Sequence, residues 1–331
     1  MKILTEYGRD ELAKVYVMQL RDEKASENDK RFLVECVESI QPPLTRKKKW
    51  VLIVSSMFGC PVQCKMCDAG GDFFGCLTSD EIFSQIEYMV QQRFQDDKPR
   101  TAKFKIQFAR MGEPTLNPAV LDVLEQLPTK YDQETLHISV SSIAPRTAAV
   151  QRFFDELCEI KNRYYSHGRF QLQFSLHTTD EAKRDELIPI KKWSFEEIAA
   201  FGRNFYQPQN GDKKITLNFA PIQGYPIDFD RLSKVFSPDC FLIKLTPVNP
   251  TVRSQEGGLQ STIDPNNPQS AEELVKKFKE KGYEVILSIG VLEENQIGSN
   301  CGQFIQRAQQ TKKRPQKSYE LERYVSEYSK N

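Results

Sequence analysis

The chain has 331 residues, with 46 Lys and Arg against 45 Asp and Glu and a formal net charge of +1. Apolar residues make up 39% and charged residues 27%, which excludes a disordered or acidic solvating chain and supports one large α/β domain or two medium ones. The balanced charge gives no chain-wide argument for nucleic acid, and no apolar run approaches the roughly 20 residues that span a bilayer. The start, Met1 to Asp10, places charges where a secretory signal needs its apolar segment, so the expected location is cytoplasmic, with no membrane partner. In a reducing compartment the eight cysteines are kept for metals or chemistry, or lie buried.

In chain order, Ala13–Leu20 and Arg31–Val37 are apolar-rich runs on either side of a charged turn, and they predict a β-hairpin. From Trp50 onward, β-branched runs recur at 50–56, 104–108, 137–141, 170–176, 215–220, 241–245 and 284–288. Helical patterns alternate with them, at roughly 79–94, 118–127, 146–162, 195–207, 228–236 and 270–281. Alternation of this kind predicts a parallel sheet of right-handed βαβ units with helices outside and chemistry at the carboxyl ends of the strands. The expected fold class is therefore α/β, a partial (β/α)6-type barrel preceded by a small hairpin. Residues 1–49 are read as the hairpin extension, 50–305 as the barrel core and 306–331 as a polar tail or helix.

Three cysteines crowd the loop that leaves the first parallel strand: Cys60, Cys64 and Cys67, spaced Cys-x3-Cys-x2-Cys, with Gly59 before them and Gly70-Gly71 after. Three thiolates on a short wrapped loop hold three irons of a cubane cluster and leave the fourth iron open to an outside ligand. The alternative is a closed zinc site with Cys76 as the fourth ligand, or buried thiols.

The spacing of Cys60, Cys64 and Cys67 resembles the cluster motif of the radical S-adenosylmethionine superfamily. The resemblance implies a [4Fe-4S] cluster and S-adenosyl-L-methionine as cofactors, with an electron donor such as flavodoxin or ferredoxin. Further segments resemble the RlmN/Cfr branch of adenine methyltransferases, and they occur in that family's order. Arg110-Met111-Gly112-Glu113-Pro114-Thr115-Leu116-Asn117 is similar to its GMGEPLLN stretch, and Ser175-Leu176-His177-Thr178 with Arg184–Ile190 to its SLHA…RDEIVPIN. Leu245–Pro250 is similar to LIPxNP, and Asn300-Cys301-Gly302-Gln303 to ACGQL.

By that resemblance Gly112 and Glu113 bind the amino group of the cosubstrate, and Ser141, Ser175 and Asn249 offer hydrogen bonds to its other polar atoms. Cys301 matches the family's methyl carrier, which is methylated by one cosubstrate molecule and then loses a hydrogen to the 5′-deoxyadenosyl radical made from a second. His177 is read as structural, and Cys158 and Cys240 as core residues.

The chain also departs from the family. Seven residues before the first cluster cysteine the family uses a second thiol, and here that position is Ile53; Met57 stands where the family has glutamine. Isoleucine neither accepts a proton nor attacks sulfur, which leaves three readings open. Another thiol, Cys36 or Cys76, takes over; the acceptor differs; or Cys301 is a relic. About 12 residues precede the hairpin, where the family carries a helical RNA-binding domain, and this points to a changed acceptor. Arg46-Lys47-Lys48-Lys49-Trp50 and Lys312–Lys317 are local basic runs that suit RNA phosphates or an ordinary solvated face. The expected function is a radical enzyme that methylates an sp² carbon, adenine in RNA by resemblance. The alternatives are a radical enzyme acting on a peptide or small molecule, or a non-catalytic iron–sulfur redox or RNA-contacting protein.

Overall fold

The computed structural model describes residues 1–21, 31–290 and 292–304. Three antiparallel strands open the chain, β1 (Lys2–Arg9), β2 (Ala13–Gln19) and β3 (Leu33–Ser39). After β4 (Trp50–Val54) a small ribbon forms from β5 (Met57–Phe58) and β6 (Gly75–Cys76), on either side of the cysteine loop. Strands and helices then alternate: α1 (Ser79–Gln91), β7 (Phe104–Phe108), α2 (Ala119–Lys130), β8 (Leu136–Ser142), α3 (Ala148–Tyr164) and β9 (Phe170–Ser175). There follow α4 (Glu181–Leu187), α5 (Phe195–Phe205), β10 (Ile215–Phe219), α6 (Phe229–Val235) and β11 (Phe241–Leu245). The described chain ends with α7 (Val252–Glu256), α8 (Glu272–Glu280), β12 (Val285–Leu287) and α9 (Leu292–Ile297).

Ten strands make one sheet in the order β1-β2-β3-β4-β7-β8-β9-β10-β11-β12. Every neighbour pair from β4 to β12 is parallel, and among the described residues β12 does not pair back to β1. The barrel is thus partial: six strand–helix units and a closing strand, as the alternation predicts. The opening hairpin is larger than expected. Lys2–Arg9 forms an additional strand at the sheet edge, and β3 pairs antiparallel with β4, so the opening strands extend the barrel sheet. The sequence hides β1 because an edge strand needs little apolar alternation, and its side chains are half-buried or exposed.

Strand alternation divides the two faces. Phe104, Ile106 and Phe108 of β7, Ile138 and Val140 of β8, and Ile243 and Leu245 of β11 point outward into the core beneath the helices. The residues between them face the lumen and are polar, among them Gln107, Ser139, Ser141, Gln173, Thr216 and Lys244. Closed barrels fill this space with branched apolar side chains; here it is lined for hydrogen bonding.

Capping fixes the helix starts. Thr78 and Glu81 form a reciprocal capping box at α1, and Ser194 and Glu197 another at α5. At the amino end of β4 the buried Glu38 carboxylate accepts from Tyr16 (2.6 Å), Trp50 Nε1 (2.9 Å) and Arg93 Nε (2.9 Å), which binds the hairpin to the barrel. No helix among the described residues is long and apolar enough to cross a membrane.

Gly202 shows how tightly α5 packs on the sheet, since a Cβ there would lie 2.3 Å from Phe241 Cζ. Gly202→Ala should therefore lower stability by about 1–3 kcal/mol through overpacking, read as a fall in urea midpoint at unchanged slope.

Candidate active site at the carboxyl ends of the strands

The cysteine loop is held from three directions. Lys65 N donates to Leu187 O at the end of α4 (2.9 Å), and Thr251 Oγ1 donates to Met66 O (3.0 Å). The buried Asp68 carboxylate accepts from Val252 N (3.0 Å) and Arg253 N (2.9 Å), the first turn of α7. Asp68 N in turn donates to Gly302 O (2.8 Å), which docks the Cys301 segment directly on the loop. Glycine is required at Gly59, where φ is +77° and a Cβ would lie 1.8 Å from Asp72 O.

Burial pushes the Cys60 thiol up to about 11, and raises Cys64 and Cys67 further as the neighbouring sulfurs repel one another's charge. Thiols in this state become thiolates only with a cation among them. Among the described residues no three ligating side chains gather closely enough to hold one metal ion. A cubane cluster takes one cysteine for each of three separate irons, so its cysteines need not converge on a point. Cys76 does not complete a zinc set: it sits on β6, half-buried, with its thiol toward Leu116 O (3.7 Å).

Beside the loop lies the turn after β7. Gly112 has φ +102°, and a Cβ there would lie 2.7 Å from Met57 Cβ, so Met57 fills the space against the turn. Glu113 is buried. One carboxylate oxygen accepts from Thr115 Oγ1 (2.7 Å) and the other from Ile143 N (3.0 Å). Burial raises its pKa, and its charge reaches Cys60 and Cys64. Among the described residues no cationic side chain pairs with it. A buried carboxylate beside the cysteine loop and lacking a counter-charge fits an ammonium group brought by a ligand.

Ser141 projects into the lumen from β8 and accepts from Gln173 Nε2 (3.2 Å); Ser175 ends β9, half-buried, opposite Asn218. The Asn249 amide donates to Cys301 O (2.9 Å) and steadies that backbone. Cys301 is exposed, and its charge acts on Cys64, Cys67 and Lys244. The fold therefore brings Cys60, Cys64, Cys67, Glu113 and Cys301 together from distant parts of the chain.

Cys36 is not among them. It lies on the outer face of β3, fully buried against Met18 Sδ (3.8 Å), with its thiol pushed far up by burial. Its neighbour Val37 is the inward residue and stands opposite Ile53. Ile53 itself packs with Leu12, Val15, Val37 and Ile297 in an apolar nest beneath α9, with no thiol in that set. Cys240 is buried with its thiol toward Gly202 O (3.3 Å), and Cys158 is half-buried on α3; neither approaches the site. The tail 306–331, including Lys312–Lys317, lies outside the described residues.

Sequence reasoning passed over Arg110. Its buried guanidinium donates to Glu35 Oε2 (2.8 Å), Gly298 O (2.9 Å) and Asn300 O (3.1 Å), with Phe304 4.5 Å away across its face. The signal was an arginine inside an otherwise apolar strand end, where the resembling motif has glycine.

No family model matches the chain. It is similar to the probable dual-specificity RNA methyltransferase RlmN of Pseudothermotoga lettingae, 29% identical over 209 residues, covering 61% of this chain and 56% of that one. A relative of the same name from Thermosipho melanesiensis is 29% identical over 261 residues, 75% of this chain and 70% of that one. The dual-specificity RNA methyltransferase RlmN of Helicobacter hepaticus is 26% identical over 252 residues, 71% and 65% of the two chains. The chain thus spans a little over half to about 70% of the length of these relatives. Among solved structures, a radical SAM methyltransferase from Sphaerobacter thermophilus superposes with a TM-score of 0.66 at 19% identity, over 91% of this chain and 80% of that one. Fold and ordered motifs define a protein of the radical S-adenosylmethionine class. Within it, similarity to these relatives supports the RlmN/Cfr-like branch.

Two outcomes test this geometry. Arg110→Met should cost about 3–5 kcal/mol by removing the buried guanidinium that pairs with the Glu35 carboxylate, and Arg110→Met with Glu35→Met should recover much of it, measured by urea denaturation. His177 has φ +67°, accepts from Ala220 N (3.1 Å), and is pushed by burial and Arg184 from 6.5 down to about 4. Its folded form binds a proton less well than its unfolded form, so its contribution is full above pH 6.5 and is lost toward pH 4, by about 3 kcal/mol at most. His177→Asn, which tolerates the backbone and keeps an acceptor, should flatten the fall in stability between pH 6.5 and 4 seen for the unsubstituted protein.

Proposed function

We propose that the protein is a cytoplasmic radical S-adenosylmethionine methyltransferase acting on an sp² carbon, with Cys301 as methyl carrier. Its relatives are named RNA methyltransferases, so the acceptor is RNA, and by the family resemblance an adenine of it. The observation that carries this reading is the docking of the Cys301 segment on the cysteine loop through Asp68 N and Gly302 O, a contact between residues far apart in sequence. Cys60, Cys64 and Cys67 would hold three irons of a [4Fe-4S] cluster, and Glu113 would accept from the ammonium group of S-adenosyl-L-methionine. Gly112 would let that group approach the backbone, with Ser141 and Ser175 facing its polar atoms. When bound, the pair supplies a 5′-deoxyadenosyl radical after one-electron reduction by a flavodoxin or ferredoxin. Before that, Cys301 would act as a nucleophile toward the methyl group of a first cosubstrate molecule and carry it afterward.

A second reading keeps the radical chemistry and changes the acceptor. It is favoured by Ile53, whose apolar nest leaves no thiol at the position from which the family resolves its adduct. Of the two candidate replacements, Cys76 at the edge of the cysteine ribbon is the one placed outside the sealed core.

The test is anaerobic reconstitution followed by incubation with S-adenosyl-L-methionine and dithionite. Cys60→Ala, Cys64→Ala and Cys67→Ala should each lose the cluster absorbance and form no 5′-deoxyadenosine. Peptide mapping of the active protein should find a methyl group on Cys301; an unmodified Cys301 would overturn the methyl-carrier role. With adenine-containing RNA as acceptor, Cys76→Ala should accumulate a covalent protein–RNA adduct; free turnover in that variant would exclude Cys76 as the replacement thiol, and no methylation of RNA by the unsubstituted protein would favour the changed acceptor.

A further inference from the structure

The lumen carries groups that the proposed methyl transfer does not use. Lys105 of β7 and Lys244 of β11 occupy inward positions, since Phe104, Ile106, Ile243 and Leu245 on either side of them pack outward. Neither lysine has a hydrogen bond or ion pair among the described residues. No acidic residue stands on the inward face of β4 or of β7 to β11.

Three more lysines surround the amino-terminal mouth. Lys49 and Lys103 precede β4 and β7, which start side by side with Trp50 N donating to Lys103 O (3.0 Å). Lys213 precedes β10 and lies against the Gly168 turn that leads into β9. The Lys49 ammonium donates to the neutral Gln41 side chain; of the acids in the loops at this end, Glu284 is taken up by Lys214 (2.6 Å) and Asp212 by Lys161. His137 neighbours Lys105 across the β7–β8 pairing, and its Nδ1 donates to Thr135 O (2.9 Å).

These charges act on one another. Burial together with Lys244, Lys49, Lys103 and Lys213 pushes Lys105 well below the ordinary lysine range, and burial pushes Lys213 down to about 8. The cost of gathering ammonium groups in a partly enclosed space is met when an anion binds among them. In a chain of net charge +1 the arrangement is local and does not reflect a basic protein.

We propose that the barrel lumen is a binding site for a phosphate-type anion, held between Lys105 and Lys244 and admitted through the mouth lined by Lys49, Lys103 and Lys213. Lysine binds phosphate as a compact, strongly hydrated point charge from a flexible stem, which suits a group that slides in along the axis. A dianion answers several converging cations better than one carboxylate does. The carboxylate of S-adenosyl-L-methionine has its place by the cysteine loop, at the opposite end of the strands from Lys105. Lys244 links the two regions, for its charge also acts on Cys301. The anion thus lies below the candidate carrier, as the phosphate of a molecule whose other end meets Cys301 would. The inference concerns binding and holds whether or not Cys301 is methylated.

Calorimetric titration of the full chain with pyrophosphate, in chloride buffer without phosphate, reads this directly. One saturable site is expected, weakened at least tenfold in Lys105→Met and in Lys244→Met, and by less than threefold in the surface control Lys276→Met. Both Met variants should melt at a higher temperature than the parent in phosphate-free buffer, and pyrophosphate should raise the parent's melting temperature but not theirs. Lys105→Arg and Lys244→Arg should retain binding within a few-fold. Displacement of pyrophosphate by adenosine 5′-monophosphate assigns the phosphate to a small molecule, displacement by a single-stranded RNA decamer assigns it to nucleic acid, and either supports the proposal. No saturable binding, or equal binding in folded Lys105→Met and Lys244→Met, overturns it.

Discussion

The buried pairing of Arg110 with Glu35 sets the geometry on which the site depends. A guanidinium taken out of water needs its donors answered, and here Nη1 and Nη2 are answered by a carboxylate on β3 and by backbone carbonyls of residues 298 and 300, while Nε is buried without a hydrogen-bond partner among the described residues. Three pieces of chain meet at one side chain: the opening strands, the end of β7 and the segment bearing Cys301. The pair gives little net stability over well-packed apolar groups. Its fixed fork instead selects one position for the Cys301 backbone, which Asn249 and Asp68 then confirm from the opposite side.

The polar lumen follows the same logic at larger scale. A barrel stabilised only by burial would fill its axis with branched residues. This chain keeps its apolar core on the outer face, beneath the helices, and lines the axis with amides, hydroxyls and lysines. Gln173 bridging Ser139 and Ser141 shows the lining to be organised, with donors matched to acceptors across neighbouring strands. Stability is thereby separated from the place where chemistry occurs.

Much of this was legible in the sequence, and for physical reasons. The seven parallel strands and the five longer helices have regular periods, and Cys60, Cys64 and Cys67 carry their signal in spacing alone. Gly112 and Glu113 stood out because a glycine lets backbone approach a ligand and a carboxylate suits an ammonium group, in a motif that follows a strand; the positive φ at Gly112 is seen only in the fold. What escaped the reading is tertiary. Asn249 was read as a ligand to the cosubstrate, and only the folded chain shows its amide on Cys301 O. Cys36 is one residue from the inward position that Val37 holds, and a strand's two-residue period sends its thiol to the opposite face. The short helices α7 and α9 span too few turns for periodicity to reveal them, while of the two seven-residue helices α6 was expected and α4 was not.

The contact between Asp68 and Gly302 also bears on how the protein is made. Synthesis runs from the amino end, so the cysteine loop emerges and begins to fold long before its last support exists. Until residue 302 arrives, Asp68 N lacks its acceptor and the loop lacks the wall that the Cys301 segment provides. Delivery of iron and sulfide to the nascent chain would thus meet an unfinished seat. The finished seat appears only once residue 302 has been made, which would place loading of a cluster after synthesis of all the strands of the barrel sheet.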